Sequence, residues 1–311
     1  MSASTPSALP SFLGGAGLAL SAHSLLALNG SVFGISGFVH RAARGSHEGI
    51  AAVLAFLLGG FVVGKLDGPG PAFVDRSFGN IALSGFLVGL GTKLGNGCTS
   101  GHMLCGMSRF SKRSIAATLT FFATGAFTTR LLHGSLPAVS SALQTTLGHY
   151  DTVLLAGAAL SLSAAWLFSL SSSFETSAES PSHRRIAVQV LTGLSFAFSL
   201  RVTQLVEPLR VLGFLVLPGS SAFDPSLFFL ALGAMPLLST LYHTGTKRID
   251  VSSPIDIKLL VGAAIFGVGW GIEGICPGPG LVNFGQALAT GSGITETALW
   301  LGTLAAGGLL V

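Results

Sequence analysis

Gly89-Leu90-Gly91-Thr92-Lys93-Leu94-Gly95-Asn96-Gly97-Cys98-Thr99-Ser100-Gly101-His102 carries a long apolar run into an abrupt interruption. The run begins near residue 79 and reads as a membrane helix. Gly95-Asn96-Gly97 ends it, because glycine costs about 1 kcal/mol in a helix interior and readily takes positive φ. A second stretch repeats the design, with Gly267-Val268-Gly269 leading to Cys276-Pro277-Gly278-Pro279. The glycine triplets (267 − 89) and the cysteines (276 − 98) share one offset, 178 residues. Pro277 and Pro279 lack N–H donors, so they stop the preceding helix and suit the start of a new one. Two matched breaks, each with a thiol, point to one substrate site assembled from two repeats.

Composition places these breaks in a membrane. Mean hydropathy is +0.72. Only 9% of residues are charged, against roughly 25% in soluble domains. The 43 glycines in 311 residues suit closely packed membrane helices and broken spans. The net charge is +4, and no basic cluster with interleaved aromatics is present, which sets nucleic acid aside as a partner. Three cysteines are an odd number and do not suggest a disulfide framework. The residues before the first apolar run include no Lys or Arg, so a cleaved secretory signal is not expected.

Runs near 20 apolar residues number nine: about 12–29, 47–66, 79–96, 110–131, 151–172, 184–203, 225–243, 257–275 and 292–311. Four further apolar segments are too short to cross: 31–39, 98–108, 208–218 and 277–288. The expected fold is an all-α polytopic membrane protein with about nine transmembrane helices and four short re-entrant helices. The Ser-rich stretch 172–183, with Glu175, Glu179 and Pro181, reads as a linker between halves. With the N-terminus outside, the inner segments hold Arg41, Arg44, Lys93, Arg109, Lys112, Arg113, Arg184, Arg185, Lys247, Arg248 and Lys258. Those are eleven of the sixteen Lys and Arg residues, which predicts a cytoplasmic C-terminus by the positive-inside rule. The cell membrane is the expected location.

The order span, short element, span, span, short element, span occurs twice. Val32-Phe33-Gly34 matches Val211-Leu212-Gly213 at an offset of 179. Equivalent spans are five apart, an odd number, so the copies enter from opposite sides as an inverted repeat. The expected organisation is a first half over 1–150, a connecting span and linker over 151–183, and a second half over 184–311. In such transporters the substrate sits near the midplane, where broken helices meet.

At each break a half-helix N-terminus is expected to present N–H groups to an anion. The anion-binding candidates are Gly97, Thr99, Ser100, Gly101, His102, Pro277, Gly278 and Pro279, with Thr99 or Ser100 as a helix cap. Cys98 and Cys276 add soft, polarizable sulfur, which suits a sulfur-containing anion better than sulfate. A lone buried cysteine is ordinarily a small hydrophobe; matched positions favour function. Cys98, His102 and Cys105 stand at i, i+4, i+7 and would share one face of a continuous helix. No fourth ligand accompanies them, so no metal is expected. Lys93 and Glu273 are the ionisable residues nearest the breaks; they pair, or attract the anion and hold a gate, or reach the interface. Arg109, Lys112 and Arg113 read as an inner-surface anchor. No hydrolytic triad, ATP loop or haem-attachment motif is present, so neither an enzyme nor a cofactor is expected.

Gly95-Asn96-Gly97-Cys98-Thr99-Ser100-Gly101-His102, then Cys105-Gly106 and Ser108-Arg109, resembles the signature of the YeeE/YedE family of sulfur-transport membrane proteins. Gly269-Trp270-Gly271 followed by Cys276-Pro277-Gly278-Pro279 resembles that family's second signature, and Asn29-Gly30 and Gly34-Ile35-Ser36-Gly37 extend the likeness. The resemblance implies an hourglass-shaped thiosulfate importer whose Cys98 and Cys276 contact the substrate transiently. Bacterial members often carry a pathway cysteine in the first short element; this chain has none before Cys98, which leaves Cys105 as the third thiol to consider. The partners expected are the lipid bilayer, thiosulfate or a similar sulfur anion, and a soluble thiol or sulfurtransferase on the cytoplasmic side. The competing readings are a membrane-embedded sulfurtransferase with a persulfide on Cys98, a transporter of selenium or other sulfur species, and a metal-binding or structural scaffold.

Overall fold

The computed structural model describes residues 5–74, 77–171, 181–244 and 254–311. Twelve α-helices and one π-helical segment occur among them. In chain order they are α1 (Leu9–Asn29), α2 (Ile35–Ala43), α3 (His47–Asp67), α4 (Phe78–Leu94), the π segment (Ser100–Met107), α5 (Lys112–Leu132) and α6 (His149–Ser171). There follow α7 (Pro181–Val202), α8 (Pro208–Leu215), α9 (Ser226–Thr244), α10 (Ile257–Glu273), α11 (Pro277–Thr290) and α12 (Ile294–Leu309). Of the linker read over 172–183, residues 172–180 lie outside the described residues and the remainder opens α7.

Seven stretches are long and apolar enough to cross a membrane: α1, α3, α5, α6, α7, α9 and the α10–α11 pair. The protein is an integral membrane protein. The count is lower than the nine spans expected because α4 has 17 residues and α12 has 16. At 1.5 Å per residue these reach only about 25 Å, short of a hydrocarbon core of about 30 Å. The first break ends α4, and α12 starts only after Gly291 and Gly293, both at positive φ. Asn96, at φ 55°, turns left-handed just after α4, a conformation asparagine tolerates better than most residues. All four predicted short segments do form short helices, as α2, the π segment, α8 and α11.

α4 packs between α10 and α12, α10 between α4 and α5, and α3 between α7 and α11. α1 lies against α7 and α9, while α6 rides on α7 with much of its surface exposed. Glycine makes the closest approaches. Gly91 faces Gly262 and Phe266, whereas Gly269 faces Ser84, Leu87 and Val88. Residue numbers thus rise along α4 as they fall along α10, so the two helices run antiparallel. The same holds for α1 and α7: Ser11 Oγ donates to Thr203 O at 3.0 Å, Ser21 and Ser195 hydroxyls meet at 2.9 Å, and Asn29 Nδ2 donates to Arg185 O at 2.9 Å.

Helix association in lipid gains little from burying apolar surface, so backbone proximity carries much of the packing. A Cβ on Gly89 would collide with the Leu304 carbonyl of α12. Gly89→Val is therefore expected to lower stability by about 1–3 kcal/mol through overpacking. Gly302→Ala, where a Cβ meets open space, is expected to raise it by about 0.5–1 kcal/mol. Thermal unfolding of the purified variants in detergent checks both.

Candidate functional site

The first break is held by its own residues. Gly97 N–H donates to Thr92 O at 3.0 Å and Asn96 N–H to Lys93 O at 3.3 Å. His102 Nε2 lies 3.1 Å from Gly95 O and Nδ1 lies 3.2 Å from Ser114 Oγ. A carbonyl only accepts, so Nε2 carries the proton and Nδ1 accepts from the serine hydroxyl. His102 is thus a brace across the break with both nitrogens engaged. Among the described residues no group of three His, Cys, Asp or Glu side chains is placed to hold a metal ion. The segment that follows is π-helical, whose wider turn takes Cys98, His102 and Cys105 out of the single α-helical face that their spacing suggests.

The hydroxyls expected to cap this segment do something else. Thr99 makes no capping bond; its Oγ1 donates to Cys276 Sγ at 3.5 Å. Ser100 Oγ accepts from Ile35 N–H at 3.1 Å and lies 3.3 Å from Cys98 Sγ. Ser100 therefore satisfies the first N–H of α2 from a distant part of the chain, and Thr99 ties the first break to the second. At the second break α10 ends on Gly274, whose φ is 71° and whose N–H returns to Trp270 O at 2.8 Å. Cys276 is the N-cap of α11, with Pro277 at the first helical position. Because Pro277 and Pro279 have no N–H, Gly278 is the one backbone donor in the first three positions of α11.

These elements enclose a narrow neck of about 40 Å³, room for only a few waters. Cys98, Thr99, Ser100, Cys276, Pro277, Gly278 and Pro279 all line it, with Ile35 at the start of α2. The remaining wall is apolar, including Phe196, Leu200 and Leu230. Met103 and Met235 also line the neck. Sequence reasoning missed them; Met103 sits five residues after Cys98, and Met235 precedes the helix-interior Pro236. The neck thus gathers four sulfur-bearing side chains.

Cys105 is not among the lining residues. Its thiol is fully buried and donates to Phe33 O at 3.6 Å. Gly97, Gly101 and His102 face a second, larger cavity together with Lys93. Glu273 is fully buried at the end of α10. Lys93 and Glu273 stand at opposite ends of the antiparallel α4–α10 pair, about 16 Å apart along the axis at 1.5 Å per residue from Gly262, so they do not pair. Arg109 and Arg113 line the same large cavity as Lys93, whereas Lys112 is exposed.

His102→Ala removes the brace and leaves Gly95 O without that donor. It is expected to lower stability by about 1–3 kcal/mol, measured as a fall in melting temperature, while His133→Ala tests the corresponding bond to Ile272 O (2.8 Å) at the end of α10.

Residues 184–310 match the family described as "Family of unknown function (DUF6691)". No solved structure matches the chain. A "probable transporter" of Xylella fastidiosa (strain Temecula1 / ATCC 700964) is 34% identical over 138 residues, covering 40% of this chain and 85% of that protein. A second "probable transporter" of the same strain is 42% identical over 116 residues, covering 36% of this chain and 86% of that protein. With more than four-fifths of each relative's length covered at such identity, the chain belongs to the family of these probable membrane transporters.

Proposed function

We propose that the protein moves thiosulfate, or a closely related sulfur-containing anion, across the membrane through the neck between Cys98 and Cys276. The bond from Thr99 Oγ1 to Cys276 Sγ carries this reading, because it joins two breaks 177 residues apart in one narrow passage. The neck is small and mostly apolar, so a fully hydrated ion does not fit it at rest and the walls must part for passage. Dehydrating a hard, charged oxygen surface is costly. A terminal sulfur is soft and weakly hydrated, and thiols and thioethers contact it favourably. Binding by such groups is weak enough to permit release.

The reading includes an inverted repeat. The antiparallel α4–α10 and α1–α7 pairs support it, since those are the helices that the two copies would exchange. The packing of α4 on α12 has its counterpart in α10 on α5, and that of α1 on α9 in α7 on α3. Gly91 against Phe266 is mirrored by Gly269 against Val88, with both substitutions at the 178-residue offset. The halves are taken as 1–150 and 184–311, joined through 151–183. The family match over 184–310 coincides with the second half. On this reading α2, the π segment, α8 and α11 are the re-entrant elements, and the Lys/Arg bias favours an outside N-terminus. The resemblance of both breaks to YeeE/YedE signatures adds thiosulfate as the substrate.

Uptake of labelled thiosulfate into proteoliposomes tests the reading. Cys98→Ser and Cys276→Ser keep side-chain size and remove the soft sulfur. Each is expected to cut uptake at least tenfold with normal membrane insertion, while Cys105→Ser, outside the neck, retains most of it. Undiminished uptake in both neck variants would falsify the thiol path. Intact mass after thiosulfate exposure separates transport from sulfur transfer. A stable Cys98 persulfide, formed by thiolate attack on the outer sulfur with release of sulfite, overturns the transport reading.

A further inference from the structure

Across the first break from the neck lies the larger cavity, about 330 Å³ against about 40 Å³ for the neck. Arg41, Arg44, Lys93, Arg109 and Arg113 line it, and no Asp or Glu is among its lining residues. Arg41 and Arg44 are exposed at its open side, whereas Lys93, Arg109 and Arg113 are half-buried. The ion pairs among the described residues join Arg185 to Glu48, Arg201 to Asp67 and Arg210 to Asp224, and use none of these five cations.

Three residues of the cavity wall also carry donor atoms that no protein group satisfies, each sealed at rest behind the wall's surface. Arg109 Nε donates to Cys105 O at 3.0 Å, but its Nη1 is buried without a partner. Arg113 Nη2 reaches Gly95 O at 3.4 Å, but its Nε is buried without a partner. Ser36 is 1% exposed, lines the cavity and has an unpartnered hydroxyl. His40 and His102, on the same wall, hold bonds to Thr92, Gly95 and Ser114.

A cleft lined by one sign of charge concentrates counter-ions, and guanidinium groups bind oxyanions by charge-assisted hydrogen bonds. We propose that this vestibule is a binding site for a small divalent oxyanion, and that it takes sulfate as readily as thiosulfate. Its role as the inner chamber of the path rests on the transport reading; its affinity for the anion does not. One turn of chain separates the two sites. Cys98, Thr99 and Ser100 face the neck, while Gly97 and Gly101 face the vestibule. Ile35 and Ser36 divide in the same way. The vestibule therefore selects for charge, and the neck selects for sulfur.

The test is equilibrium binding of labelled inorganic sulfate to the purified full-length protein in detergent. Wild type and Lys112→Gln are expected to bind sulfate alike, because Lys112 lies outside the cavity. The double variant Arg41→Gln/Lys93→Gln is expected to bind at least tenfold more weakly. Arg113→Gln gives the same readout if the double variant does not fold. Wild-type affinity in either cavity variant, or an equal loss in Lys112→Gln, overturns the site. Absence of thiosulfate uptake by the wild type, together with sulfate binding that is lost in the cavity variants, sinks the transport reading and leaves the vestibule standing.

Discussion

A helix that stops inside a lipid slab leaves N–H and C=O groups that no water can satisfy, and each orphan costs several kcal/mol in hydrocarbon. This chain stops twice in its apolar interior, and the surrounding packing supplies partners at each stop. The carbonyls at the end of α4 and of α10 each receive an imidazole N–H, from His102 to Gly95 O and from His133 to Ile272 O. Thr129 Oγ1 adds a donor to Gly271 O at 3.2 Å. At the start of the next elements the problem is surplus donors. Two prolines delete two of them from α11, and Ser100, just past the first break, also takes up the first donor of the distant α2. Braced in this way, the breaks hold Cys98 and Cys276 against the same neck.

Close backbone contact makes the bracing geometrically possible. α10 approaches α4 through Gly262 and Gly269 and α5 through Gly267 and Gly271. Larger side chains there would push the helices apart and pull the end of α4 away from the body that supports it. Between the glycines, Phe121, Phe266 and Trp270 stack and meet edge-on, with Phe266 and Trp270 centroids 6.1 Å apart at 11°. Small residues thus set the spacing and aromatic residues fill what remains. The antiparallel direction of this pair brings the C-terminal end of α4 beside the first half of α10.

Periodicity and breaker residues made the helical fold legible, because both act locally along the chain. The interruptions at Gly95-Asn96-Gly97 and before Cys276-Pro277 fall where glycine, asparagine and proline chemistry demands. The length of α4 was less legible, since apolar residues continue up to the point where the break ends the helix. That the two breaks meet was expected from their matched positions, but the individual lateral partners were not legible. Thr99 and Ser100 have the residue types of helix caps, yet their hydroxyls bond to Cys276 and Ile35, which lie far away in sequence. Arg109 and Arg113 look like a surface anchor beside Lys112, but the turn after the π segment folds them into a cavity wall. Met103 and Met235 read as ordinary apolar residues until α9 and the first break are placed together around the neck.

Charge and softness are hard to recognise in one place. Arginine in a dry neck would bind a divalent anion strongly, and an ion held that tightly leaves slowly. On the transport reading, an apolar neck with thiols alone would offer sulfur contacts but no charge to receive the anion on its inner side. Placing the cations one turn away, in a wetter cavity, resolves the conflict. Water screens the arginine and lysine charges enough to keep binding reversible, while the field still raises the anion concentration beside the neck. The Gly97–Gly101 turn is short and has two glycines at its ends, so it forms a thin partition between the two environments. On the transport reading, parting that partition from Pro277–Pro279 opens the neck directly onto the vestibule. With the N-terminus outside, the vestibule lies on the inner side, so an imported anion sheds water in the neck, most easily at the end that presents sulfur, and then meets the cations that receive its charge.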